Sequence, residues 1–165
     1  MPKRKSTRLA QFDYSSEGAY FITICTEDRK QILSRIVGDG VYDVPRVELL
    51  KYGKIVDKYI NKMNNDYDYI YADRYVIMPN HIHMIIKITA NVGGTSQAPY
   101  PTARTNTLLS KFISLLKRYC NREIGENIFQ RSFYDHVIRD GDDYDTIVKY
   151  VFENPIAWYY KNIEK

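Results

Sequence analysis

Two histidines, His81 and His83, stand two positions apart in the segment HIHMII. Successive side chains of a β-strand point to opposite faces, so a strand here places both imidazoles on one face and three apolar side chains on the other. Two imidazoles about 6.6–7 Å apart along a strand can converge on one metal ion. The same pattern also fits a pair of surface histidines on a half-buried strand.

Two other classes of site share a histidine pair of this kind. Histidine-triad nucleotide hydrolases need a third histidine at the position where this chain has Ile85. Cupin-type sites need a glutamate and a further histidine downstream, and no residues at suitable spacing supply them. Neither class fits the sequence, and a site built on two histidines remains.

A second group of residues, Tyr150 and Asn154, precedes Pro155. Residues four apart share one face of a helix, so the phenol and the amide project together. A tyrosine can attack a phosphodiester and conserve the bond energy as a phosphotyrosine, which allows later rejoining of the strand without a nucleotide cofactor. A phenol without assistance has a pKa of about 10 and is a poor nucleophile, so this chemistry needs a metal that polarises the phosphate. Most helical tyrosines, however, are core or surface residues.

Apolar spacing predicts the elements that must position these residues. Strands are expected at 19–26, 67–78, 81–89 and 128–139, with a small hairpin at 31–44 that turns at Gly38-Asp39-Gly40. Helices are expected at 47–64, at 107–123 between a cap at Asn106 and a stop at Gly125, and from Asp142 or Asp143 to Asn154. Pro155 disfavours helical geometry in the residue before it and should end the last helix.

This order of elements predicts an α+β protein. It matches a ferredoxin-like βαββαβ antiparallel sheet with helices on one face and an additional C-terminal helix that carries the tyrosine. Residues 1–165 are expected to form a single domain, with a basic tail at 1–12 and a flexible loop at 90–106. Hydrophobic residues make up 44% of the chain, which excludes a disordered or collagen-like protein. No apolar run is long enough for a membrane helix or a signal peptide, so we expect a cytoplasmic protein whose Cys25 and Cys120 are free thiols.

The positive charge is modest in total but unevenly distributed. Lysines and arginines number 24 against 20 acidic residues, a formal net charge of +4. One basic zone comprises Lys3, Arg4, Lys5 and Arg8, and another includes Lys117, Arg118 and Arg122. Such zones suggest a polyanionic partner, most simply nucleic acid, although charge runs are often only solvated faces.

Five segments together resemble a known family. They are Arg4–Leu9, Gly18–Thr26, Val76–His83, Phe129–Arg139 and the pair Tyr150…Asn154-Pro155. The chain resembles the single-tyrosine transposases of the His-hydrophobe-His (HUH) nuclease superfamily and, more narrowly, the REP-associated tyrosine transposases of bacteria. The similarity runs from about residue 4 to residue 158.

The resemblance implies roles for particular residues. Tyr150 would be the nucleophile, and His81 and His83 would bind a divalent metal, Mg²⁺ or Mn²⁺. Asn154 would be a third ligand, at a position where insertion-sequence relatives usually have glutamine. His136 matches a family position and is expected to be structural or to face DNA.

The resemblance also implies the reaction and the partner. The expected function is a metal-dependent single-stranded DNA endonuclease and strand transferase that acts at hairpin or palindromic DNA through a covalent 5′-phosphotyrosine, as a monomer rather than a dimer. A catalytically inactive DNA-binding protein of the same fold and a metal-dependent small-molecule hydrolase are the alternatives. DNA contacts are expected from the basic tail, from Lys117, Arg118 and Arg122, and from Arg131, which lies near Phe129, Phe133 and Tyr134.

Overall fold

The computed structural model describes residues 16–38, 44–89 and 107–163. The predicted basic tail and the predicted loop at 90–106 lie outside these residues. The strands and helices in chain order are β1 (Gly18–Cys25), β2 (Ser34–Val37), β3 (Arg46–Leu49), α1 (Lys51–Asp66), β4 (Ile70–Met78), β5 (His81–Ile88), α2 (Leu108–Ile124), β6 (Tyr134–Ile138) and α3 (Gly141–Ile163).

Four of the strands form one sheet in the order β4-β5-β1-β6, and every neighbouring pair is antiparallel. With α1 between β1 and β4, and α2 between β5 and β6, this is the ferredoxin-like arrangement that the sequence predicts. The β2–β3 hairpin is an insertion between β1 and α1. Among the described helices, none combines the length and the apolar character needed to span a membrane.

The two faces of the sheet bury different clusters. Helices α1 and α2 cover one face, where Ile82, Met84 and Ile86 of β5 join the main core. Helix α3 covers part of the other face, where Ile147 and Val151 pack on Ile85. As the sequence predicts, alternation along β5 places the two histidines on one face and the apolar residues on the other, and the histidine face is the one that α3 covers.

The first helix begins later than predicted. Residues 46–49 pair with 34–37 as a strand, and α1 begins only at Lys51. The pairing places Glu48 opposite Arg35, and their side chains form an ion pair at 2.8 Å, a cross-strand contact that sequence periodicity does not reveal. Part of the predicted turn at Gly38-Asp39-Gly40 lies outside the described residues.

The second helix has a different cap from the predicted one. Asn106 lies outside the described residues, and Thr107 is the residue whose side chain accepts a hydrogen bond from the Ser110 amide at 3.2 Å. The helix ends at Gly125, whose φ of 90° is in the left-handed region that favours glycine. The predicted stop is therefore confirmed.

The prediction that the last helix ends at Asn154 is wrong. Helix α3 continues through Pro155 to Ile163. An internal proline removes one backbone hydrogen bond, but the residues beyond it gain contacts that offset this loss. The indole of Trp158 lies 6.0 Å from the His81 ring, and the Tyr159 hydroxyl donates to the Gly38 carbonyl oxygen at 3.0 Å.

Candidate active site

The side chains of His81 and His83 converge on the α3 side of β5. Their Nε2 atoms lie 3.1 Å apart, and the two residues are only 8% and 6% exposed. Because β5 lies between β4 and β1, the backbone that carries both imidazoles is held on either side. The pair is thus a rigid, nearly buried feature rather than the surface pair that the sequence also allowed.

A hydrogen bond at Nδ1 orients each imidazole, on the side of the ring away from Nε2. The Oδ1 atom of Asn80 lies 2.7 Å from Nδ1 of His81 and accepts its hydrogen, which leaves the lone pair of His81 on Nε2. Nδ1 of His83 lies 2.9 Å from the Thr23 hydroxyl. A hydroxyl can donate or accept, so Thr23 can pair with either neutral form of His83.

Both imidazoles are held in the neutral form. Burial, assisted by the positive charge of Arg29, lowers the pKa of His81 to about 4. The pKa of His83 is lowered to about 3, mainly by burial and to a smaller extent by the charges of His81 and Arg29. Neutral imidazole is the form that binds metal ions, so the pair is prepared for coordination at neutral pH.

The spacing of the two Nε2 atoms fits a metal ion. Adjacent ligands of an octahedral ion with bonds of about 2.1 Å are separated by about 3.0 Å, close to the 3.1 Å between these atoms. Among the described residues no group of three His, Cys, Asp or Glu side chains could hold a metal. Mg²⁺ and Mn²⁺ also accept amide, phosphate and water oxygens as ligands.

Tyr150 lies directly beside the histidines. Its ring centroid is 5.3 Å from that of His83 and 6.0 Å from that of Phe21, and the residue is 50% exposed. The neighbouring Ile147 and Val151 fix this part of α3 on the sheet. The phenol is thus held near the histidines while remaining open to a substrate from solvent.

Asn154 occupies the middle of the helix face that meets the histidines. Tyr150 and Trp158, one turn before it and one turn after it, contact His83 and His81 respectively. Residues at steps of four share a helix face. The amide of Asn154 is therefore on the side of α3 required of a third ligand, and its coordination of a metal stays a prediction.

Arg29, which the sequence analysis did not single out, lies close enough to the histidines for its positive charge to lower the pKa of both. It follows Asp28 in a 3-10 turn, and the two have φ values of 56° and 53°, a left-handed conformation that is unusual for residues with a side chain. Thr26 holds this turn against the β4–β5 turn, because its backbone amide donates to the Asn80 carbonyl oxygen at 3.0 Å. Strained backbone of this kind concentrates at functional sites, and because it is visible only in the structure, no sequence signal identified Arg29.

The predicted DNA-binding residues are not gathered around the histidines. Lys117, Arg118 and Arg122 belong to α2, which packs on the opposite face of the sheet, where they line an open groove of about 740 Å³. Lys117 donates to the carbonyl oxygens of Gln130 and Ser132 at 2.8 and 3.1 Å, so it also holds a loop. Lys3, Arg4, Lys5 and Arg8 lie outside the described residues.

Arg131 and the nearby aromatic residues have different surroundings. Arg131 is exposed in the loop that Lys117 holds. Phe129 is 6% exposed and Phe133 packs against the main core, whereas Tyr134 is 43% exposed on β6. His136, on the same strand, lies 3.1 Å from a carboxylate oxygen of Asp143 at the start of α3, which supports the structural role expected for it.

Comparison with known proteins gives three informative similarities, although no protein-family model matches the chain. An uncharacterized protein of Haemophilus influenzae is 31% identical over 94% of this chain and 89% of its own length. A second protein of that species, named "Putative REP-associated tyrosine transposase", is 24% identical over 93% of this chain and 78% of its own length. A solved structure of a REP-associated tyrosine transposase bound to a REP hairpin has 20% identity and a TM-score of 0.60, covering 91% of this chain and 74% of that one.

These similarities agree with the site geometry. The solved structure shows that the ferredoxin-like fold of this chain, with its additional C-terminal helix, is also the fold of a transposase. Over most of its length the chain is similar in sequence to a protein named as a REP-associated tyrosine transposase, and it shares the fold of a solved transposase of that name.

Proposed function

We propose that this protein cleaves and rejoins single-stranded DNA at hairpin or palindromic sequences through a covalent 5′-phosphotyrosine on Tyr150. The observation that carries the proposal is the contact between the Tyr150 ring and His83, whose Nε2 atom converges with that of His81. A nucleophile and a metal-binding pair side by side on one face of the sheet are the minimum that this reaction needs.

The residues of the site have different roles in binding a scissile phosphate. His81 and His83, with Asn154 as the third protein ligand, would hold Mg²⁺ or Mn²⁺. The bound ion would supply polarisation of the phosphate and stabilisation of developing negative charge. Thr23 and Asn80 orient the imidazoles, and such supporting hydrogen bonds keep ligand atoms in place.

The first chemical step is a transesterification. The Tyr150 oxygen forms a bond to phosphorus, the bond from phosphorus to the 3′ oxygen breaks, and the phenol proton passes to solvent. The strand is left with a 3′-hydroxyl, which has taken up a proton, and the 5′-phosphate is joined to Tyr150. In strand transfer, a 3′-hydroxyl attacks the phosphotyrosine and the phenol is released, so no external energy source is consumed.

The choice of partner is supported by charge and by similarity. The positive charge of Arg29 near the histidines favours a phosphate there. The structurally similar transposase was solved with a REP hairpin, which makes a DNA hairpin the first substrate to test. Because such a substrate forms in chromosomal DNA, we place the activity in the bacterial cytoplasm.

We propose that the protein acts as a monomer. Ile147 and Val151 of α3 pack on Ile85 of the same chain, and Tyr150 contacts His83 of the same chain. A complete site therefore forms without helix exchange. Tyr150→Phe and His81→Ala proteins that restore activity when mixed would contradict this proposal.

The main alternative is a DNA-binding protein of the same fold that has lost catalysis. The preserved arrangement of His81, His83 and Tyr150 argues against this loss, because DNA binding alone does not need it. The second alternative, a metal-dependent small-molecule hydrolase, would need neither Tyr150 nor the basic groove on α2. A DNA adduct assay combined with a DNA-binding measurement distinguishes all three functions.

The test uses a labelled hairpin with single-stranded flanks, incubated with Mn²⁺ or Mg²⁺ and separated on a denaturing protein gel. We expect a labelled band at the protein mass that disappears in Tyr150→Phe, in His83→Gln and without metal. Tyr160→Phe is the matched control, because Tyr160 is also 50% exposed on α3 but lies off the face shared by positions 150, 154 and 158. Metal-independent binding without an adduct would support the inactive DNA-binding protein, and neither binding nor adduct would contradict DNA as the substrate.

A further inference from the structure

A row of four side chains crosses the sheet through the candidate site. The strand register places Val76 opposite His83, His83 opposite Thr23, and Thr23 opposite Tyr134. Directly opposed residues in antiparallel strands share a face of the sheet. Tyr134 on the edge strand β6 is therefore on the same face as His83 and Tyr150.

The distance along this row suits a strand of nucleic acid. Neighbouring strands are about 4.8 Å apart, so Tyr134 lies about 10 Å from His83 across the sheet. This corresponds to roughly three nucleotides of stacked strand at 3.4 Å each, and to fewer in an extended strand. Thr23, with its short side chain, is the residue between them.

Tyr134 has an exposed side chain, unlike the neighbouring aromatic residues Phe129 and Phe133. Phe129 and Phe133 pack against the main core, whereas Tyr134 is 43% exposed. Helix α3 packs mainly on β4, β5 and the β2–β3 hairpin, and the Tyr134 side chain at the start of β6 stays exposed. The exposed Arg131 lies three residues earlier, in the loop that Lys117 holds, and provides a positive charge for a nearby phosphate.

We propose that Tyr134 is a stacking platform for one unpaired base of the DNA strand that is cleaved at Tyr150. The inference rests on the proposed function and adds to it the position of a base contact. Aromatic rings displayed on a sheet bind single-stranded nucleic acid because every base has a face that can stack. Stacking at Tyr134 would fix the register of the strand and so position one phosphate at the histidines.

The test measures stacking separately from cleavage. Binding is measured in the Tyr150→Phe background with hairpins that carry 2-aminopurine at successive positions of the single-stranded flanks. We expect fluorescence quenching at one flank position, and Tyr134→Phe should retain it. Tyr134→Ala and Tyr134→Leu should both lose the quenching and bind the hairpin about 10-fold more weakly. Tyr160→Ala is the control for loss of an equally exposed tyrosine, and it should change neither signal.

Cleavage kinetics with Tyr150 intact complete the test. Loss of stacking should raise KM for the hairpin about 10-fold and lower kcat by a smaller factor, because the chemical groups remain in place while fewer bound strands hold the scissile phosphate at the histidines. The inference is wrong if Tyr134→Leu binds and quenches like the parent protein, or if its only effect is a change in oligomeric mass. Quenching that depends on Tyr134 in a protein that forms no adduct would support the platform while contradicting the proposed cleavage.

Discussion

The Tyr144 hydroxyl donates a hydrogen bond to the carboxylate of Asp73, and this contact ties the start of α3 to β4. Lys87 reinforces it, with its Nζ atom 3.2 Å from the same carboxylate and 4.7 Å from the centre of the Tyr144 ring. Burial opposes ionisation of Asp73, but the hydrogen bonds from Tyr144 and Lys87 outweigh it and hold its pKa below the ordinary value. Tyr150 is less than two helical turns further along α3, so this anchor helps to set its position.

Replacement of Tyr144 by Phe should loosen α3 without emptying the space that the ring fills. The loss of one hydrogen bond to a partly buried carboxylate should lower the free energy of unfolding by about 1 kcal/mol, measured by urea denaturation. It should also slow adduct formation, because Tyr150 is less well positioned. Tyr160→Phe should change neither quantity, and unchanged stability in Tyr144→Phe would show that the Asp73 contact does not anchor the helix.

Thr23 should control the metal affinity of His83. Thr23→Val keeps the shape of the side chain but leaves Nδ1 of His83 without its hydrogen-bond partner. Loss of such a supporting contact typically lowers metal affinity by about 10-fold or more. We expect that decrease for Mn²⁺ by titration calorimetry and near-normal affinity for Thr23→Ser, and equal affinities for the two variants would contradict the orienting role.

The sequence predicts the sheet and the histidine pair because both depend on local patterns. Alternation along residues 81–88 determines which side chains share a face, and Tyr150 and Asn154 share one through helical spacing. The sequence does not predict the extension of α3 beyond Pro155, because the contacts of Trp158 and Tyr159 are with residues about 80 and 120 positions away. It also fails to separate Tyr134 from its aromatic neighbours, since burial depends on the tertiary structure.

Acidification should destabilise the metal-free protein through the two buried histidines. In the unfolded chain both have an ordinary pKa of about 6.5, whereas in the folded protein their pKa values are about 4 and about 3. Between pH 6.5 and about 4 the unfolded state therefore binds more protons, and stability falls as the pH falls. With both histidines titrating, we expect a loss of about 5 kcal/mol between pH 7 and pH 4.5 by urea denaturation.

The His83→Gln protein is the control for this pH dependence. It retains every other titrating group but has one buried histidine fewer, so its stability should fall less steeply over the same pH range. Parallel stability curves for the parent protein and the variant would show that burial does not hold His83 in the neutral form.

The basic groove on α2 should contribute to affinity rather than to chemistry. Arg118 and Arg122 lie on the face of the sheet opposite Tyr150, and neither has an ion-pair partner within the described part of the chain. Their distance from the scissile strand makes the duplex stem of a hairpin the natural contact. Replacement of both by Gln should weaken hairpin binding about 10-fold and reduce the slope of log K against log salt by about 2, since two phosphate contacts are lost.

At saturating DNA the same double variant should form the adduct at the parental rate, because no group near Tyr150 has changed. Arg35→Gln is the control, since Arg35 is exposed but already paired with Glu48 at 2.8 Å, and it should leave the salt dependence unaltered. A reduced adduct rate at saturation would mean instead that α2 helps to position the cleaved strand. An unchanged salt slope would mean that the groove does not contact phosphate, and that the two arginines are only solvated.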